Sequence, residues 1–179
     1  MAALPDPIPD LSGEGRRIYD DILARRKAKG VNHLGPYVPL LNHPELAKDI
    51  ERLGYFYKFE SKLPRDVYQF IVLSMAVRSG VSFVWADHVA AARAAGLPDA
   101  VIDGIKAKAG GYPAPFDDVQ ATTDCAFRFV SIPADLQERV IARFGMHGFI
   151  EIVTLCGFYT MIGMVNVCFD VPLPHHGEH

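Results

Sequence analysis

The sequence predicts an all-α multi-helix bundle of about seven or eight helices. Three observations predict it. Apolar residues recur at three- and four-residue steps over most of the chain. The breaks between these segments are glycines and prolines of the kind that stop helices. No run alternates apolar and polar residues between hairpin signals, so strands are not expected. The stretch 65–97 organises the rest. Its first half, Asp66 to Arg78, is almost continuously apolar and free of proline and glycine, and its length favours a buried helix over a strand. Gly80 ends it, Ser82 is placed to cap a second helix, and Gly96 with Leu97-Pro98 stops that one. On this second helix Val81, Val84, Trp85, His88, Ala92 and Ala95 share one face.

The other elements follow in order. Residues 1–13 read as an extended arm, 14–174 as a single all-α domain and 175–179 as a polar tail. The first helix runs from about Glu14 to Lys29 with Ile18, Ile22 and Leu23 inward; Gly30 ends it. The turn-rich but apolar segment 31–43 is expected to pack down as a loop. Asn42 then caps a helix with Pro44 in its first turn and Leu46, Ile50, Leu53, Phe56 and Tyr57 as its stripe. Beyond Pro98, Asp99 caps a short helix to about Lys108 that buries Val101, Ile102 and Ile105. A rigid Gly-Gly-Tyr-Pro-Ala-Pro-Phe loop leads to a helix over about 117–130 carrying Val119, Cys125, Ala126 and Phe129. Ala134 to Phe144 forms the next, and Gly145 and Gly148 bracket His147. The last helix, about Phe149 to Phe169, is apolar on all sides, and Val171-Pro172-Leu173-Pro174 stops it. Its residues 152–169 carry no formal charge, yet Thr154, Thr160, Asn166 and the lack of basic flanks favour burial inside a bundle or an oligomer interface over a membrane span.

Composition narrows the function classes. Half of the 179 residues are hydrophobic, enough for a substantial core, and a net charge of −3 without a basic block gives no footprint for nucleic acid. The cysteines Cys125, Cys156 and Cys168 are odd in number, widely spaced and set in apolar helices, which reads as buried, inert thiols. The proline-rich, acidic start has neither a basic end nor an apolar run, so no secretory signal is expected and the location is read as cytoplasmic. No zinc spacing, phosphate-binding glycine loop or dinucleotide fingerprint occurs; no cofactor and no metal are expected.

Several stretches resemble the carboxymuconolactone decarboxylase family, which includes the alkylhydroperoxidase D-like proteins. They are F-V-W-A-D-H at 83–88 with A-R-A-A-G-L at 92–97, H-L-G-P-Y-V-P-L-L-N-H-P-E-L-A at 33–47, P-A-P-F-D-D at 113–118, and G-F-Y-T-M-I-G-M-V-N-V at 157–167. The resemblance covers most of 30–175 and implies a bundle of the alkylhydroperoxidase D-like type, assembled as a homo-oligomer, trimer or hexamer. The stretches 113–118 and 157–167 resemble the decarboxylase-like branch, and the positions of the Cys-x-x-Cys pair of peroxidase-type members hold Val81 and Val84. Dithiol chemistry needs thiols there. The glutamate leading the family's first helix is replaced by Gln69, and the tyrosine and glutamate before the tryptophan by Phe83 and Val84.

The resemblance makes His88 the functional residue, a general acid or base near neutral pH; taken alone it reads as a core histidine satisfied by one hydrogen bond. Gln69 can orient an imidazole but cannot take a proton, or it satisfies a backbone carbonyl instead. Trp85, Phe83, Val84 and Val81 are expected to wall a substrate pocket, with His33 and Tyr37 from the 31–43 loop and Tyr159 from the last helix as further binding candidates. Asp87 is expected to face outward, and Glu151 to sit favourably near a helix start. His43 is a weak candidate on the same loop, and His175, His176 and His179 lie in the tail. The implied function is a cofactor-free lyase or isomerase acting on a small lactone, carboxylate or carbonyl compound. The alternative is a non-catalytic binding or structural member that keeps the oligomeric scaffold; a peroxide reductase fits least.

Overall fold

The computed structural model describes residues 3–173; the polar tail and its histidines lie outside them. Eight helices and no strand occur among the described residues: α1 (Gly13–Lys27), α2 (Tyr37–Leu40), α3 (Pro44–Tyr55), α4 (Arg65–Ser79), α5 (Ser82–Ala94), α6 (Asp99–Ala107), α7 (Phe116–Arg128) and α8 (Ala134–Cys168). The arm holds one 3-10 turn, Ile8–Asp10, and a π-helical turn, Phe56–Glu60, follows α3. The described chain divides into two compact units, residues 3–60 with 164–173 and residues 61–163.

In the first unit α1 packs on α3, with Ile18 and Ile22 buried along α1. One turn further on the same face stands Arg26, only 5% exposed. Its guanidinium donates to Glu51 Oε1 at 3.4 Å and to the His33 carbonyl at 3.3 Å, and stacks over the Tyr37 ring at 5.1 Å. Arg25 makes a second charged hydrogen bond to Glu51, whose side chain is wholly buried. This arrangement corrects the expected stripe of α3. The inward face is Ala47, Glu51, Gly54 and Tyr55, with Tyr57 buried just beyond, while Leu46 and Leu53 are exposed. The arginines of α1 draw the glutamate inward and rotate the leucines out. The cap differs too: His43, through Nδ1, accepts from the Leu46 amide at 3.4 Å. Asn42 instead donates to the carbonyls of Pro5 and Pro39.

The second unit is built around α4. Nine of its fifteen residues are buried, and it packs against α5, α6 and α7. Gly80 closes α4 with a φ of 68°, a left-handed conformation that glycine adopts without strain. Val81 rather than Ser82 caps α5, and Ser82 begins the helix facing solvent. Val101, Ile102 and Ile105 bury α6 as expected. Phe129 does not join the core. It lies just past α7 with a φ of 55°, which turns the chain out of the helix and leaves the ring 96% exposed. Gly145 breaks α8 with φ 72° and ψ 170°, a region open essentially to glycine alone.

Three expectations about α8 and the thiols change. Beyond the break, Glu151, Ile152, Leu155, Cys156, Phe158, Tyr159 and Ile162 are buried, whereas Ile150, Thr154 and Gly157 are exposed, so the helix is not covered on all sides. Glu151 is not at a helix start; it accepts a hydrogen bond from Ser61 Oγ. Cys125 and Cys156 are buried, but Cys168 is exposed, since it falls on the uncovered side of the helix end. Among the described residues α8 alone is long and apolar enough to cross a membrane, and half of its apolar window is buried by the protein.

The Glu51 cluster yields a stability prediction. Removing one partner of a buried ion pair leaves the other charge uncompensated, at about 3–5 kcal/mol. Glu51→Ala is expected to lower unfolding free energy by roughly 3 kcal/mol in a denaturant titration. A loss below about 0.5 kcal/mol would show the cluster to be energetically neutral.

Candidate functional site

The second unit gathers four buried polar side chains from three helices. Tyr68 and Gln69 come from α4, His88 from α5 and Tyr159 from α8. His88 is 6% exposed and has a partner on each ring nitrogen. Nδ1 lies 3.0 Å from Gln69 Oε1, an oxygen that can only accept, so Nδ1 carries the proton. Nε2 of the neutral ring then accepts from the Tyr159 hydroxyl at 3.2 Å. Tyr159 has thereby used its proton, so the Tyr68 hydroxyl, 2.6 Å away, donates to it. The result is a directional chain from Tyr68 through Tyr159 and His88 to Gln69. Ring packing supports it: His88 and Tyr159 meet edge to face with centroids 5.5 Å apart.

A carboxylate joins the chain from an unexpected side. Asp87, expected to face outward, is 16% exposed at its side chain and places Oδ2 3.5 Å from His88 Nε2. The pair becomes ionic when the ring is protonated, so the acid that Gln69 cannot supply is available from the neighbouring residue. Arg65 stacks its guanidinium over the Tyr68 ring at 4.0 Å. Burial pushes the Tyr68 phenol above its ordinary value near 10, and the charge of Asp87 adds to the rise; the Tyr159 hydrogen bond and Arg65 oppose it.

Of the residues singled out from sequence, His88, Gln69 and Tyr159 are brought together by direct hydrogen bonds. Val81, the cap of α5, is buried, as are Phe83 and Val84 on the helix, and Trp85 is half-buried. Val81 serves packing against α8, since a Cβ on Gly163 would come within 3.1 Å of its Cγ2. His33 and Tyr37 belong to the first unit, where the His33 carbonyl and the Tyr37 ring both meet Arg26. Tyr68 and Asp87 were not anticipated. The available signal for Tyr68 was a phenol inside an otherwise apolar helix, a polar atom that needs a partner. No group of three or more potential metal ligands occurs among the described residues.

The thiols stand apart from this chemistry. Burial pushes the Cys156 thiol up to about 12, and Cys156 donates to the Ile152 carbonyl of its own helix.

Tyr68 makes a pH prediction. Its folded value lies above its unfolded value near 10, so the folded state holds the proton more tightly. Stability from this group is complete below pH 10 and falls as pH rises past it. Tyr68→Phe is expected to flatten part of the alkaline decline in melting temperature. An unchanged alkaline slope would show that the Tyr68 phenol ionises as readily folded as unfolded.

The sequence matches no protein-family model and no curated protein. The structure is similar to the crystal structure of a protein of unknown function from Agrobacterium tumefaciens, provisionally described as an antioxidant defence protein of the AhpD type. The two share a TM-score of 0.62 and 20% sequence identity over 74% of this chain and 93% of the other. At that identity the likeness speaks for the architecture and leaves the chemistry to be argued from the residues. The chain therefore has the alkylhydroperoxidase D-like, all-α fold.

Proposed function

We propose that the chain is a cofactor-free lyase or isomerase of the carboxymuconolactone decarboxylase-like type, acting on a small lactone, carboxylate or carbonyl compound by proton transfer at His88. The observation that carries this is the oriented imidazole. Gln69 holds Nδ1–H, which leaves Nε2 as the basic atom, and a carboxylate waits beside Nε2. A substrate that displaces the Tyr159 hydroxyl presents a C–H next to its carbonyl to Nε2. The ring takes the proton and Asp87 stabilises the imidazolium. The same ring returns the proton to carbon or oxygen as the bond arrangement changes, so the protein ends each cycle unaltered. Tyr159 and Tyr68, already ordered as successive donors, supply hydrogen bonds to the charge that develops on the substrate oxygen. Phe83, Val84 and Trp85 form the apolar side of the site.

A second reading has an observation of its own. Both ring nitrogens are engaged and the ring is nearly inaccessible, as in a satisfied core histidine. That favours a binding or structural member with no turnover. Peroxide reduction is least supported, because valines occupy both positions where a reactive dithiol would stand.

The two readings separate on His88→Asn, assayed against candidate lactones and carbonyl acids with melting curves on each variant. The substitution keeps size and a hydrogen-bonding group but removes titration. It is expected to cost about a hundredfold or more in turnover while the fold survives. Gln69→Glu should shift the pH profile of turnover, because a charged acceptor stabilises the imidazolium. Near-full turnover in a well-folded His88→Asn protein would discard the catalytic reading.

We also propose a homo-oligomer, a trimer or hexamer by the family resemblance. In the second unit Ile150, Thr154, Gly157 and Met161 recur on α8 at steps of four, three and four; the first three are exposed and Met161 is half-buried. Ile150 is 51% exposed, and a Cβ on Gly157 would meet nothing within 4 Å. Such a stripe suits a second helix. Light scattering at micromolar concentration should give a multiple of the 19.7 kDa chain mass, reduced by Gly157→Glu. A monomeric mass would rule the assembly out.

A further inference from the structure

The second unit holds a cleft of about 370 Å³ whose lining includes none of Tyr68, Gln69, His88 and Tyr159. The C-terminal half of α4, the end of α6, the glycine loop after it and α7 line it. Its charged groups are Arg78, Lys108 and Asp124. Asp124 accepts from Arg78 and, at 2.9 Å, from Gln120 Nε2. Arg78 also stacks over the Phe127 ring at 4.3 Å. Two cations against one carboxylate leave the cleft with an excess positive charge. The Arg78–Asp124 pair is partly exposed, at 34% and 41%, so an incoming anion disturbs little by sharing the guanidinium, which has five N–H donors.

Ser74 stands in the same wall, with its Oγ sealed beneath the surface and without a hydrogen-bond partner. Helical hydroxyls in this unit ordinarily return their proton to the preceding turn: Thr122 to Asp118, Thr154 to Ile150 and Thr160 to Cys156, each at 2.8 Å. Ser74 does not. The apolar part of the wall is Met75, Val77 and Ile105, with the half-buried Tyr112 ring beside them. Tyr112 is fixed there by two consecutive left-handed glycines, Gly110 and Gly111, and by close packing on Gly104, where a Cβ would lie 3.1 Å from its ring.

We propose that this cleft is a second ligand site, which takes a small organic carboxylate. The carboxylate lies between Lys108 and Arg78, and the apolar body rests on Met75, Ile105 and the Tyr112 ring. The volume suits a molecule of one ring with short substituents. The site is chemically independent of the His88 chain, and its occupancy does not require His88 to be catalytic.

The probe is benzoate, with benzamide as the neutral isostere and inorganic phosphate as the plain anion, followed by saturation-transfer NMR and melting temperature. Benzoate should bind in the millimolar range or tighter and benzamide at least fivefold more weakly. Lys108→Gln should weaken benzoate about tenfold. Lys108→Gly is the folding control: Lys108 sits at φ 56°, where glycine is the unstrained residue, so this variant should fold at least as well and still lose binding. Asp124→Asn should tighten benzoate by removing the competing carboxylate. Equal binding of benzamide would overturn the proposal, as would displacement of benzoate by phosphate at equal concentration. So would benzoate binding that survives both Lys108 variants, or that is lost in His88→Asn.

Discussion

Four polar side chains buried at one seam have to satisfy one another. A buried donor or acceptor left without a partner costs about 1–3 kcal/mol. Tyr68, Gln69, His88 and Tyr159 avoid that cost only when α4, α5 and α8 hold one relative register. The apolar residues around them, such as Val67, Phe70 and Ile71, supply burial without direction. A slip of one turn along α4 would leave much of that burial intact and strand the polar chain. Burial therefore drives the helices together, and the hydrogen bonds select the packing. That same requirement turns the imidazole so that Nε2, rather than Nδ1, is the basic atom.

Glutamine at position 69 fits this constraint better than an acid would. Its amide oxygen fixes the ring without placing a charge in a buried seam, where an unpaired carboxylate is expensive. A carboxylate stands beside the ring all the same, that of Asp87, which is less deeply buried than the imidazole. The group that orients the ring and the nearest negative charge thus come from two helices.

Much of the fold was legible in sequence, and the failures share a cause. Helix α4 was readable from the length of its apolar run, and α5 and α6 because apolar periodicity and the glycine and proline stops agree. The face of α3 was not. Hydropathy ranks Leu46 and Leu53 above Glu51, and only the arginines of α1 reverse that order. Phe129 misled for a local reason: a left-handed residue after the helix points its side chain away from the stripe that precedes it. His88 was legible as a polar group at an inward helical position, whereas Gln69 entered through the family resemblance, at the position of the family's glutamate, and Tyr159 through the resembling stretch 157–167. Asp87 was missed because successive residues on a helix diverge by about 100°. Periodicity then assigns neighbours to opposite environments, although a carboxylate can swing back to the next residue's ring.

The low amphipathicity of α4 follows from what it has to serve. Gln69 and Ser74 are five positions apart, about 140° around the helix axis. One side of α4 meets His88 through the Gln69 hydrogen bond. The other side borders a cleft with an excess of positive charge and a hydroxyl that the protein itself leaves unused. A helix exposed to solvent on one face could support only one of these environments. Because α4 is enclosed by α5, α6 and α7, it can hold both rigidly, each with its own chemistry. The nearly unbroken apolar run that marks it in the sequence is the consequence of that enclosure.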